Sequence, residues 1–191
     1  NPLPASQGDE TLPLVPLVSD LLEAKDRYLL NHGSRVSFYA TLVANRLDLP
    51  IAEQQSLALG ALVHDLDLIS IPGPHVLNRE SDQQIHRPGL GAKMGRAMGL
   101  PADAVQIIAL HHERWDGTGY PFGLEEERIP LLARIVSIAQ VLDQLTAEQP
   151  EQTALPITQA LQQIEQQAGT AFDPALTELF CSTMREQPQR Q

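Results

Sequence analysis

The chain has 191 residues, 42% of them hydrophobic, with a single cysteine and a formal net charge of −11. That is enough apolar material for one domain with a sizeable core and too much for wholesale disorder. One cysteine excludes an intramolecular disulfide framework and a cysteine-rich zinc site, and the acidic balance disfavours duplex nucleic acid, which is held by many Lys and Arg contacts to phosphate.

Residues 1–14 carry three prolines with Ser, Gln and Gly and read as a linker or frayed arm. A helical domain is expected over 15–185, followed by a polar tail at 186–191. The first helix, about 16–30, places Leu17, Val18, Leu21 and Leu22 on one side. Ser34 reads as the N-cap of a second helix over about 35–48. Pro50 opens a third, about 51–64, with Leu57, Leu59 and Leu62 apolar and His64-Asp65 at its end. Ile71-Pro72-Gly73-Pro74 breaks the chain. A short helix near 81–86 and another from Pro88 to Met98 follow. Pro101 suits the first position of a helix over about 102–112, which delivers His111 and His112. A glycine-rich turn runs to Ile129, and Pro130 starts a long helix to about Glu148. Two last helices take about 154–168 and 173–185, the second starting at Asp173-Pro174; the Gln-rich run Gln159–Gln167 reads as a solvated face of the first. Helices with short connections and no strand signal predict an all-α multi-helix bundle.

No apolar run reaches membrane-spanning length, so no insertion by this segment is expected. No secretory signal is visible, and a cytoplasmic setting fits. The first residue is Asn1 rather than Met, which leaves room for a sensor or receiver domain ahead of it.

The chemistry concentrates in His111-His112-Glu113-Arg114-Trp115-Asp116-Gly117-Thr118-Gly119-Tyr120-Pro121 and in His64-Asp65. Either pair alone is ordinary, because histidine at a helix C-terminus is favoured by the dipole anyway. Together they suit a metal site fed by separate helices, with imidazole and carboxylate ligands for Fe, Mn or Zn and Asp65 able to bridge two ions. Gly117 and Gly119 are expected to allow positive φ, and Pro121 to stiffen the exit, holding Tyr120 near the metal mouth.

With its HHExxDGxGYP block complete, and with His32, Arg35-Val36, Ile71-Pro72, Ile129-Pro130-Leu131, Leu145-Thr146 and Phe172-Asp173-Pro174 in matching places, the chain resembles the HD-GYP family of HD phosphohydrolases. Active members of that family hydrolyse cyclic di-GMP with two or three metal ions. The resemblance implies metal ligands at His32, His64, Asp65, His111 and His112, with Asp65 central to catalysis if the domain is active. It also exposes departures. Arg87 stands where a ligand histidine is expected, leaving His86 next door as a substitute only if its helix shifts. Gln140 occupies the place of a ligand aspartate, and Tyr28 that of a glutamate used by some members. Leu68, Gln149 and Gln152 fall in the stretches where phosphate-handling cations are expected, and Glu151 adds a negative charge.

The expectation is therefore a degenerate signalling domain with little or no hydrolysis, at most one well-held ion on His64, Asp65, His111 and His112, and action through protein contact or by sensing a nucleotide or metal. By resemblance, Trp115, Tyr120 and Phe122, with Gly117, Gly119 and Pro121, offer a surface for GGDEF-type diguanylate cyclases. Arg134 would position substrate or act as an ion-pair partner. The alternative is an active cyclic di-GMP phosphodiesterase in which His86, Asp67 or Asp143 makes good the missing ligands.

Overall fold

In a computed structural model, which describes residues 14–25, 27–70, 88–148 and 153–187, proline sets most of the helix starts. Pro50, Pro101, Pro130 and Pro156 each take the N-cap position, with φ between −52° and −55°. The ring imposes that angle, and the N–H it lacks would have had no partner in a first turn. Pro101 thus stands one residue ahead of the position expected for it. Asp173 adds a side-chain cap, its Oδ1 accepting from the backbone of Ala175 (2.9 Å) and Leu176 (3.1 Å), with Pro174 as first helical residue.

The elements run α1 (Leu14–Lys25), α2 (Arg27–Arg46), α3 (Ile51–Leu62), a 3-10 turn (Leu66–Ser70), α4 (Pro88–Ala97), α5 (Ala102–Leu110), a second 3-10 turn (Glu126–Arg128), α6 (Leu131–Thr146), α7 (Ile157–Glu165) and α8 (Pro174–Glu186). Among the described residues there is no strand, only isolated bridges joining Asp116 to Glu125 and Ala168 to Phe172. The expected all-α bundle is the fold. No helix among the described residues is long and apolar enough to cross a membrane.

The expected start of the second helix is corrected. Ser34 lies inside α2, where its hydroxyl donates to the Leu30 carbonyl (2.7 Å) instead of capping. Gly33 beside it is required there, because a Cβ would collide with the Leu62 carbonyl of α3. Glu186, expected in the tail, closes α8 and accepts from both terminal nitrogens of Arg46 (3.0 and 3.2 Å). The Pro-Gly break at 71–74, the short helix near 81–86, His75, His86, Arg87, Gln149 and Gln152 lie outside the described residues, as does nearly all of the arm at 1–14.

Two apolar clusters organise the bundle. The larger joins Val36, Ala40 and Val43 of α2 to Leu57 of α3, Ile135, Ile138 and Leu142 of α6, Leu161 and Ile164 of α7, and Phe180 of α8. The smaller packs Leu66 of the first 3-10 turn, Ala92 of α4, and Ala104 and Ile108 of α5 around Val63. His32, His64 and His111 lie beside these clusters, each at most 1% exposed.

Candidate metal centre

Three segments bring the polar cluster together. α2 carries His32 one residue before the α2–α3 crossing at Gly33. α3 stops at Leu62, and the Val63 cap (φ −117°, ψ 16°) turns His64 and Asp65 inward before the 3-10 turn begins. His111 is the C-cap of α5 and His112 follows it.

Each buried imidazole is fixed by its Nδ1. His64 Nδ1 lies 2.7 Å from the Ala61 carbonyl, His111 Nδ1 3.0 Å from the Ile107 carbonyl, and His32 Nδ1 2.6 Å from Asp143 Oδ2. Carbonyls and carboxylates accept, so Nδ1–H donates in all three, a tautomer assigned from these partners. The Nε2 lone pairs then face inward. His32 Nε2 is 3.2 Å from His64 Nε2. Around Asp65, His64 Nε2 is 3.4 Å from Oδ2, His32 Nε2 is 3.8 Å from Oδ2, and His111 Nε2 is 3.6 Å from Oδ1. His111 Nε2 is buried without a hydrogen-bond partner.

Lone pair against lone pair is unfavourable unless a cation lies between. Two donors about 2.1 Å from one ion, at tetrahedral or octahedral angles, stand roughly 3.0–3.4 Å apart. The 3.2 and 3.4 Å separations at His64 fit that description, and the 3.6 and 3.8 Å separations to Asp65 are a few tenths of an ångström wider. The donors form two groups, His32, His64 and Asp65, and Asp65, His111 and His112, each with its ligand atoms within 4.8 Å of one another. Asp65 is common to both. His64 lies between the two groups, its ring centroid 5.0 Å from those of both His32 and His111.

Burial pushes the His64 imidazole down to about 4; Asp65 opposes this, while His111 and His32 add to it. His64 is neutral at pH 7, the form that ligates metal. For Asp143, burial pushes the carboxyl up, but the hydrogen bonds and charges of His32 and Arg35 outweigh it and hold the group below the ordinary carboxylate range.

The turn after His112 is built around Glu113, only 2% exposed. Its Oε1 accepts from Phe122 N (2.7 Å) and its Oε2 from Leu124 N (3.0 Å), so this carboxylate closes the loop and faces away from the metal groups. Gly117 has φ +75°, as expected. Gly119 is corrected: its φ is not positive, and it is needed because a Cβ would meet the backbone of Arg114 and, at 2.6 Å, Glu113. Thr118 and then Arg114 donate to Asp116 and pull that carboxyl down to about 2. Tyr120 stacks on His112, with centroids 4.6 Å apart and planes at 15°.

The remaining expected site residues separate. Arg134 is an ion-pair partner of Asp173 and lies 5.7 Å from the Trp115 ring centroid. Trp115 is tied by its backbone to Ala171 (3.1 Å), whereas Phe122 projects, 70% exposed. Leu68 is fully buried and Gln140 is 7% exposed. Tyr28 lies in α2, its side chain outside the described set. Asp143 is committed to His32 and Arg35.

A family model described as HD domain matches residues 16–176. The chain belongs to the HD domain family. A 3'3'-cGAMP-specific phosphodiesterase 3 of Vibrio cholerae is 31% identical over 84% of this chain and 36% of its own length. The cyclic di-GMP phosphodiesterase response regulator RpfG of Xanthomonas campestris is 37% identical over 73% of this chain and 39% of its own. The chain thus spans well under half the length of these curated relatives. A solved HDG"Y"P protein from Bdellovibrio bacteriovorus shares the fold with a TM-score of 0.68 at 21% identity, covering 92% of this chain and 59% of that one. Within the HD family the chain is of the HD-GYP type, related to cyclic di-GMP and cGAMP phosphodiesterases.

Proposed function

We propose that this domain binds metal through His32, His64, Asp65, His111 and His112, and that its hydrolysis of cyclic dinucleotides is far slower than that of its relatives, so that it signals by sensing metal or nucleotide and by protein contact. The carrying observation is a preserved donor cluster around Asp65 beside a lost cation position: Leu68 is wholly buried. A lysine at that place by resemblance would reach phosphate, whereas Leu68 is part of the core. Gln140, a neutral amide, cannot balance ionic charge as a carboxylate does. Removing one preorganised transition-state donor costs about 10²–10³ in rate, and a net charge of −11 adds no help for an anionic substrate.

A metal ion bound here would supply Lewis acidity toward a phosphoryl oxygen. The chain's own residues set the rest. Asp65 is shared by both donor groups, and Tyr120 covers His112 on the side of the GYP turn. The second reading, an active phosphodiesterase, is favoured by that sharing of Asp65, which is the arrangement that suits a pair of ions.

Metal content of the purified protein, with cyclic di-GMP and 3'3'-cGAMP turnover in added Mn or Fe, separates the two. The expected result is one retained ion per chain and turnover at least about 100-fold below an active relative. Two ions and brisk turnover would establish the second reading. Gln140→Asp is expected to tighten metal retention roughly tenfold, about 1.4 kcal/mol; unchanged retention would count against Gln140 as the vacated ligand place. For a GGDEF-type cyclase partner, Phe122→Ala is expected to weaken binding, and equal affinity for both proteins would remove the turn from that role.

A further inference from the structure

Asp143 belongs to neither donor group, yet its side chain is only 1% exposed and both its oxygens are engaged. Oδ2 accepts from His32 Nδ1 at 2.6 Å and from Arg35 Nη2 at 3.0 Å, and Oδ1 accepts from Arg35 Nε. We infer that Asp143, steadied by Arg35, is the positioning residue for His32, and that ion affinity at His32, His64 and Asp65 depends on it. The inference rests on the metal-centre reading above.

The contrast among the three histidines is the reason. His64 and His111 receive their tautomer from Ala61 and Ile107, carbonyls in the last turns of the helices that lead into them. Those acceptors come with the backbone and no substitution removes them. His32 is set by a side chain of a different helix, 111 residues away in sequence. A carboxylate behind an imidazole fixes the ring and raises the basicity of its far nitrogen. Here the far nitrogen, Nε2, is the one that faces His64 and Asp65. Asp143 cannot be a substitute ligand at the same time, since it meets His32 on the Nδ1 side, away from the donor atoms. Arg35, with 39% of its side chain exposed, supplies the opposite charge that makes a buried carboxylate tolerable.

The test uses Mn2+ alone as probe and has two readouts. Calorimetric titration of the wild type, Asp143→Asn and Arg35→Lys should show binding weakened about 10–100-fold by Asp143→Asn and less by Arg35→Lys. An amide can present its NH2 to Nδ1 and so reverse the His32 tautomer. Nitrogen-15 spectra of the metal-free proteins read that directly: wild-type His32 is expected to carry its proton on Nδ1, and Asp143→Asn to lose that signature while His64 keeps it. Equal Mn2+ affinity in wild type and Asp143→Asn, or a wild-type His32 protonated on Nε2, would overturn the inference. Should wild type bind no Mn2+, the metal-centre reading fails, and the His32 spectra of wild type and Arg35→Lys still decide whether Asp143 sets the ring. Arg35→Lys also serves if Asp143→Asn does not fold.

Discussion

Gly117 and Gly119 stand two residues apart in one turn and are needed for different reasons. Gly117 adopts φ +75°, and the side chain its Cβ would approach is that of Glu125, which can move. Alanine there would suffer mainly the left-handed backbone penalty, about 1–2 kcal/mol. At Gly119 the obstacle is the backbone of Glu113 and Arg114, which cannot yield without shifting His112 and the loop that Glu113 closes. Gly119→Ala is therefore expected to be the more damaging, by about 2–3 kcal/mol or more against wild type, and to unseat Tyr120 from His112. Urea unfolding of the two variants checks the order; equal destabilisation would mean the turn is looser than its contacts imply.

At the scale of elements, the α2–α3 crossing controls the site. Gly33 lets α2 approach the Leu62 carbonyl, and His32 beside it meets His64, two residues beyond the end of α3, at 3.2 Å. Gly33→Ala would force the helices apart. It should cost about 1–3 kcal/mol and weaken Mn2+ binding in the same variant, read by thermal melting with and without the ion. Intact binding in a destabilised protein would uncouple the crossing from the site. This crossing also marks how far the sequence could be read. Proline starts and apolar spacing placed α3, α5, α6 and α8 to within a residue or two, because those signals are local. Ser34 misled, since a serine before an apolar stretch looks like a cap, whereas here α2 runs through it with the Ser34 hydroxyl turned back onto the Leu30 carbonyl and Gly33 packed on α3. The imidazoles were legible from motif and resemblance. Asp143's hold on His32 was not, because a pairing across 111 residues leaves no periodic trace. Glu113 gave a partial signal: its place beside two histidines drew attention, but nothing local said that its oxygens would close the loop rather than join the donors.

For the whole molecule, the donor cluster is a stability problem that metal would relieve. Inward-facing imidazoles and one shared carboxylate are buried together in a chain whose net charge is −11. His64 has a folded value of about 4 against an ordinary 6.5, so the folded chain resists a proton that the unfolded chain accepts. Above pH 6.5 both states are neutral at His64 and it contributes no pH dependence. As pH falls from 6.5 toward 4, the unfolded state gains protons first and the metal-free protein loses stability, by about 3 kcal/mol at the lower end. Bound metal acts in the opposite sense. At a free concentration of about 100 times the dissociation constant it adds roughly 2.7 kcal/mol, and that gain shrinks over the same acid range because protons compete for the imidazoles. Urea unfolding in EDTA and in Mn2+ between pH 4 and 8 should therefore give two curves, apart at pH 8 and converging on the acid side. A metal-free curve flat through that range would mean that His64 is not held neutral by its burial, and the cluster would then lose its claim to be a site kept ready for a cation.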